Sequence, residues 1–329
     1  MSRYLVTGGA GYVGSHLVLA LLDQGHQLTV YDNLRQGHRA AVPAAATLIE
    51  ADIADTSRLN AVLADGPWDA VFHFAALSLV GESMRQPFLY FTENAGNGVR
   101  LIEACVQHGV RKFVLSSTAA LFGAPEKQPI DEAERIDPGS PYGESKLMIE
   151  RTLLWADRIF GLRSACLRYF NAAGADPAGR AGEDHDPETH LIPLVIDAAL
   201  ERRPPLHVFG DDYPTEDGTC IRDYIHVSDL ADAHVRVLGL LDTRSVTYNL
   251  GNGQGHSVRQ VIRAVEQVSG RRVPFTVAPR RPGDPAVLVA ASGRLRQDTG
   301  WDPAYPALET IVRHALDWRA AHPQGYGDR

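Results

Sequence analysis

A chain of 329 residues, 44% hydrophobic and carrying a net charge of -8 at pH 7, can bury two cores, or one large core with a smaller lobe. Its lysines and arginines are scattered rather than blocked, which argues against nucleic-acid and membrane-surface partners, and no apolar run reaches the roughly 18 residues of a membrane span. Cys105, Cys166 and Cys220 share no paired spacing, so buried thiols in a reducing cytoplasm are expected rather than disulfides or a metal centre.

The first element is a short buried strand, Tyr4-Leu5-Val6. It runs straight into glycines at 8, 9, 11 and 14 and then into a helix-like apolar pattern from Val13 to Leu22. Strand, glycine turn and helix in that order form a phosphate cradle. Gly8 permits the reversal, Gly11 lets a pyrophosphate approach the main chain, and Gly14 allows close helix packing. Because this turn begins at residue 8, no secretory leader is expected. A second strand over 27–31 ends in Asp32-Asn33, and Asp32 lies 18 residues beyond Gly14. There a carboxylate bonds the adenosine ribose and repels a 2'-phosphate, so the cofactor is expected to be NAD. A third strand over 46–50 leads to Asp52 and Ile53, placed to bond and pack an adenine.

A fourth strand, Asp69 to Ala76, contains His73 among apolar neighbours with no acid partner, which assigns it a structural role. Asn94 follows on a helix flanking the sheet. The fifth strand, Lys112 to Leu115, opens into Ser116-Ser117-Thr118, hydroxyls that face the same crevice as the glycine turn. At Pro141-Tyr142-Gly143-Glu144-Ser145-Lys146 the proline favours a helix start, and Tyr142 and Lys146, four apart, share one face. A neighbouring ammonium and a positive nicotinamide ring would favour the phenolate and suit Tyr142 to proton transfer.

A sixth strand over 162–169 ends at Phe170-Asn171. The next stretch, 175–190, is rich in Gly, Pro and acids. It marks a domain boundary near 171 and reads as a solvated loop. His185 and His190 lie beside Asp184 and Asp186, yet nothing nearby completes a metal shell. Later, Arg222 and Arg281, the latter with Asp284 nearby, are candidate clamps for a diphosphate. The expected fold is α/β: a Rossmann-type doubly wound parallel sheet over 1–170, joined by some later segments, and a smaller α/β substrate domain over 171–329.

The glycine spacing resembles the extended short-chain dehydrogenase/reductases. Together with Tyr31-Asp32-Asn33-Leu34, His73-Phe74-Ala75-Ala76, Gly81-Glu82-Ser83, Ser116-Ser117-Thr118, Tyr142 to Lys146 and the stretch 214–234 in one order, it makes the chain similar to the UDP-glucose 4-epimerase family. The resemblance implies that NAD stays bound, that the substrates are UDP-glucose and UDP-galactose, and that the chain is a homodimer through helices around 88–108 and 145–160. It implies that Tyr142 is the base, that Lys146 holds the nicotinamide ribose and that Thr118 bonds the sugar 4-hydroxyl. Tyr12, Val13, Phe74, Ala75, Asn94, Ser116 and Phe170 join the glycines, Asp32, Asn33, Asp52 and Ile53 around the cofactor. Asn171, His190, Leu191, His207, Phe209, Arg222, Arg281 and Asp284 would hold the UDP-sugar.

Three positions depart from the family pattern. Leu77-Ser78 stands where many members have a lysine, Leu288 sits at the position that gates N-acetylated sugars, and Phe122 replaces a tyrosine. Related dehydratases and decarboxylases follow the threonine with acids, whereas Thr118 is followed by Ala119-Ala120. A silent NAD-binding sensor would not need both Tyr142 and Lys146.

Overall fold

The structure is a computed structural model that describes residues 1–281 and 283–328. Six strands come from the first half of the chain: β1 (Arg3–Thr7), β2 (Gln27–Asp32), β3 (Thr47–Glu50), β4 (Ala70–His73), β5 (Lys112–Thr118) and β6 (Arg163–Tyr169). A seventh, Val246–Leu250, pairs with β6, giving the order Val246–Leu250, β6, β5, β4, β1, β2, β3, with every pairing parallel. Strands such as β4 are buried on both faces, so their sequences are apolar runs rather than alternations. The chain leaves β1 toward β2 and β3 on one side, then crosses back from β3 to β4 and β5 on the other. The carboxyl ends of β1 and β4 therefore flank a topological switch point, where ligands of open α/β sheets bind.

Helices cover both faces. Tyr12–Asp23 and Val227–Arg236 pack with Trp301 on one side, while Thr56–Ala64, Asn97–Gln107 and Pro141–Phe160 enclose Phe113 and Leu115 on the other. A third core, holding Val195, Val261 and Val312, lies among the helices Leu191–Ala199, Val258–Ser269 and Leu308–Ala321. Beside it run two small sheets. In one, Ile221–His226 pairs with Asn171–Ala173, Gly255–Ser257 and Val287–Leu288; the other joins Leu206–Phe209 to Phe275–Ala278.

Two expectations need adjusting. β5 does not end at Leu115 but runs on through Thr118, because Ser116, Ser117 and Thr118 keep register with Leu167, Arg168 and Tyr169. The strand at 69–76 is shorter, Ala70–His73, since the amides of Phe74 and Ala75 both turn to the Thr7 carbonyl, at 2.8 and 3.1 Å. The chain crosses from the large sheet after β6 and returns to it at Val246.

Candidate active site

The glycine turn closes on the switch point. Gly8 adopts φ 75°, and a Cβ there would stand 2.3 Å from the Ala75 nitrogen, so only glycine lets the ends of β1 and β4 meet. A Cβ on Gly14 would stand 2.2 Å from the Gly8 oxygen, whereas one on Gly11 would meet nothing nearer than 3.4 Å. Gly14 therefore serves packing within the turn and Gly11 leaves the cradle open, which fits a pyrophosphate at the N-terminus of the helix Tyr12–Asp23. Tyr12 anchors that helix by donating to the Gly174 carbonyl at 2.8 Å, while Val13 is only partly buried beside it.

At the other end of the cradle Asp32 is 7% exposed and accepts from the amides of Ala10, at 3.0 Å, and Leu34, at 2.9 Å. Burial pushes its carboxyl upward while both amides oppose that shift. Asn33 donates to Asp52 at 2.7 Å, and Ile53 packs at the margin of the core on that face. The adenosine-side residues thus converge at the carboxyl edge, and the donor set fits a dinucleotide.

Asn94 is differently engaged. It lies in a π-helical turn, Phe91–Gly96, fully buried, with its amide bonded to the main chain of Leu77 at 2.8 and 2.9 Å and to the Ser145 hydroxyl at 3.1 Å. It fixes the segment after β4 rather than presenting free donors.

The reactive group is assembled by the helix Pro141–Phe160. Ser140 caps it by accepting from the Gly143 amide at 3.2 Å, and Pro141 takes its first turn. A Cβ on Gly143 would stand 2.3 Å from the Ala120 carbonyl oxygen, so glycine lets this helix press on the turn after Thr118. That contact sets the Thr118 hydroxyl close enough to the Tyr142 phenol to draw its pKa down against burial. Ser145 donates to the Tyr142 carbonyl at 2.7 Å, and the Tyr90 ring stands edge-on to Tyr142 with centroids 6.3 Å apart. Lys146, 2% exposed, donates to the Ser116 carbonyl at 2.8 Å, and Ser116 bonds the Tyr169 hydroxyl at 2.7 Å.

The electrostatics differ from the sequence expectation. Burial raises the Tyr142 phenol, and the group that draws it down is Thr118, not Lys146. Burial lowers the lysine to about 8. His73, fully buried with Nδ1 2.7 Å from the Thr7 hydroxyl, is drawn to about 3 by burial and then by Lys146, which makes it a poor base and agrees with a structural role.

On the substrate side Asn171 donates to the Asp223 carbonyl at 2.8 Å, and the Phe170 amide bonds Leu250 at 3.2 Å. Arg222 forms an ion pair with Asp284, and Arg281 lies over the Phe209 ring, 4.1 Å from its centroid. Two guanidiniums, a carboxylate and an aromatic face are thus held at the edge of the smaller sheets. His207 shares the Phe209 face of its strand, exposed and 2.9 Å from the Thr276 hydroxyl. Leu288 pairs in register with Arg222. Phe122 is buried under the Arg168 guanidinium at 5.8 Å, a packing role.

The stretch 175–190 is an irregular loop, as its composition suggested, with 177–180, Asp186, Pro187, Thr189 and His190 exposed, but part of it is withdrawn from water. Glu183 is 4% exposed and pairs with both His185 and His190; the latter stands at the N-cap position of the helix that begins at Leu191, its side chain on Glu183 rather than on the helix amides. The carboxylates that meet these imidazoles are Glu183 and Glu188 rather than Asp184 and Asp186. Sequence reasoning also missed Ser140, Gly143, Ser145 and Tyr90. A serine just before Pro141 was a legible cap signal; the others act through contacts between distant segments.

A switch-point cradle for a dinucleotide beside a Thr-Tyr-Lys group defines a nucleotide-dependent enzyme of the short-chain dehydrogenase type. The chain belongs to the NAD dependent epimerase/dehydratase family, whose profile matches residues 4–251. It is 52% identical to the UDP-glucose 4-epimerase of Halalkalibacterium halodurans, over 98% of this chain and 97% of that one. A crystal structure of a UDP-glucose 4-epimerase superposes with a TM-score of 0.96 at 47% identity, covering 98% of this chain and 99% of the other. The Brucella ovis UDP-glucose 4-epimerase in complex with NAD gives 0.94 at 43% identity, covering 96% and 98%.

Proposed function

We propose that this chain interconverts UDP-glucose and UDP-galactose by inverting sugar C4, with NAD held in the cradle of Gly8, Gly11 and Gly14. NAD, when bound, would supply the hydride acceptor and donor for oxidising C4 to a 4-keto sugar and reducing it again. Tyr142 takes the C4 hydroxyl proton and returns it, and the neighbouring Thr118 hydroxyl favours its charged form. Lys146, fixed on the Ser116 carbonyl, would hold the cofactor ribose and keep a cation within the site. Arg222, Arg281 and Asp284, with Phe209 as a stacking face, grip the UDP so that the hexose alone turns over.

The observation that carries this reading is Lys146, buried and fixed on the Ser116 carbonyl at 2.8 Å in β5, one helical turn from Tyr142, which has Thr118 beside its phenol. Purified protein incubated with UDP-galactose and no added cofactor should yield UDP-glucose by proton NMR; an unchanged substrate would refute the reading. UDP-N-acetylgalactosamine in parallel shows how Leu288 sets specificity.

The assembly we infer is a homodimer, in a reducing cytoplasm that suits three buried free thiols. Met148, Trp155 and Ile159 recur along one face of the helix Pro141–Phe160 and are 42%, 58% and 63% exposed, with Val99 of the helix Asn97–Gln107 also exposed. No described helix is long and apolar enough to cross a membrane. An apolar row of that kind suits pairing with a second copy. Sedimentation of Ile159→Glu against the parent chain checks it: the parent should run as a dimer and the variant as a monomer.

A further inference from the structure

We propose that Glu183, His185, Glu188 and His190 form a binding site for a divalent transition-metal ion, zinc by the chemistry of its donors. Within these eight residues every second or third side chain turns to a common point. One ligand atom from each of the four lies within 4.8 Å of all the others, the one such group among the described residues. The His185 Nδ1 stands 3.3 Å from Glu183 and 3.6 Å from Glu188, and the His190 Nδ1 is in contact with Glu183. Two atoms that each bind zinc at about 2.0–2.1 Å across a tetrahedral angle lie about 3.4 Å apart. The two His185 distances match that spacing, and the remaining pairs fall within 4.8 Å.

The surroundings support a cation. Glu183 is 4% and Glu188 11% exposed, so both carboxylates are withdrawn from water. The nearest guanidinium, Arg319, is committed to Asp197 through two bonds and approaches Glu188 only to 3.9 Å. One Glu188 oxygen accepts from the amides of Thr189 and His190 at 2.8 and 2.9 Å, which fixes the carboxylate; the other is buried with no hydrogen-bond partner. That free oxygen has Arg319 at 3.9 Å, and the amide-bonded one stands 3.6 Å from His185, so the carboxylate offers an ion one fixed and one unbonded oxygen. Two imidazoles favour zinc and its first-row neighbours over magnesium or calcium, which prefer all-oxygen shells. His190, 53% exposed, leaves an entry path.

The site would be structural, because four protein ligands close the shell, and an ion taken at the His190 Nδ1 leaves the Nε2 of that ring for the UDP-sugar. His185 stands edge-on to Tyr12 of the glycine turn with centroids 6.0 Å apart, and His190 immediately precedes the helix Leu191–Ala199. A bound ion would therefore clamp the loop between the cofactor cradle and the substrate-side helix. This inference does not depend on which sugar the enzyme takes.

The test is metal content, read without reference to turnover. Full-length protein with its bound NAD is equilibrated with micromolar zinc, passed through metal-free buffer and analysed by plasma mass spectrometry, alongside His185→Gln and Glu188→Gln. Roughly one zinc ion per chain is expected in the parent, at least ~10-fold less in either variant, and a zinc-dependent rise in melting temperature in the parent alone. Competition of the unaltered protein with a chromophoric chelator gives the affinity should a variant fail to fold. Zinc absent from the parent, or retained equally by folded variants, would overturn the proposal and leave the quartet a hydrogen-bonded network.

Discussion

The Lys146 ammonium donates to the Ser116 carbonyl at 2.8 Å inside a core that leaves the lysine 2% exposed. Burial lowers its pKa from 10.5 to about 8, with Glu150 opposing the shift. Below pH 8 both folded and unfolded chains carry the proton, so the burial penalty is full. Between about 8 and 10.5 the unfolded chain binds more protons, and this group's contribution makes stability rise with pH. A shift of that size corresponds to about 3 kcal/mol, part of it offset in a variant by the stranded Ser116 carbonyl. Lys146→Met should therefore raise the unfolding free energy by about 1–3 kcal/mol at pH 7, by less at pH 9.5, and depress turnover. Urea unfolding at the two pH values checks the sign.

Tyr142→Phe removes one oxygen and keeps the ring that stands against Tyr90. Bound NAD, read by absorbance of the denatured extract, should remain stoichiometric, while epimerisation falls by roughly 10²–10⁴-fold. A variant that keeps more than a tenth of parental turnover would move the proton-transfer role elsewhere.

Gly143→Ala should cost activity through geometry alone, since its Cβ would intrude on the Ala120 carbonyl at 2.3 Å and push Tyr142 from Thr118. Turnover should drop about 100-fold with a stability loss of about 1–3 kcal/mol. Gly239→Ala, where a Cβ meets nothing within 4 Å, is the control and should leave both unchanged or slightly improved.

Arg222→Lys keeps the charge but loses the planar fork that meets Asp284. UDP affinity by calorimetry should weaken by about 10–100-fold with NAD content unaltered. Equal weakening of both ligands would mean that the substitution loosens the fold rather than the grip.

The pair Glu150–Arg168 gives a measure of the core itself. Both side chains are under 9% exposed and Arg168 donates to Glu150 at 2.6 Å, while Ser117 donates to the same carboxylate at 2.6 Å. Glu150→Ala would leave a buried guanidinium unpaired, and a loss of about 3–5 kcal/mol is expected in chemical denaturation.

Local spacing was enough to find the glycine turn, Asp32 at the end of β2 and the Tyr142–Lys146 pair. Each depends on a dihedral or a helical repeat that neighbours in the chain dictate. The same local rules could not show that Val246–Leu250 returns to the first sheet, that Lys146 rests on Ser116, or that Asn94 spends its amide on Leu77. Nor could they choose Glu183 and Glu188 over Asp184 and Asp186 as the carboxylates facing His185 and His190. In a loop no repeat assigns side chains to a face. There the choice falls to long-range packing against Tyr12 and Arg319, because only folded neighbours decide which carboxylate is taken out of water.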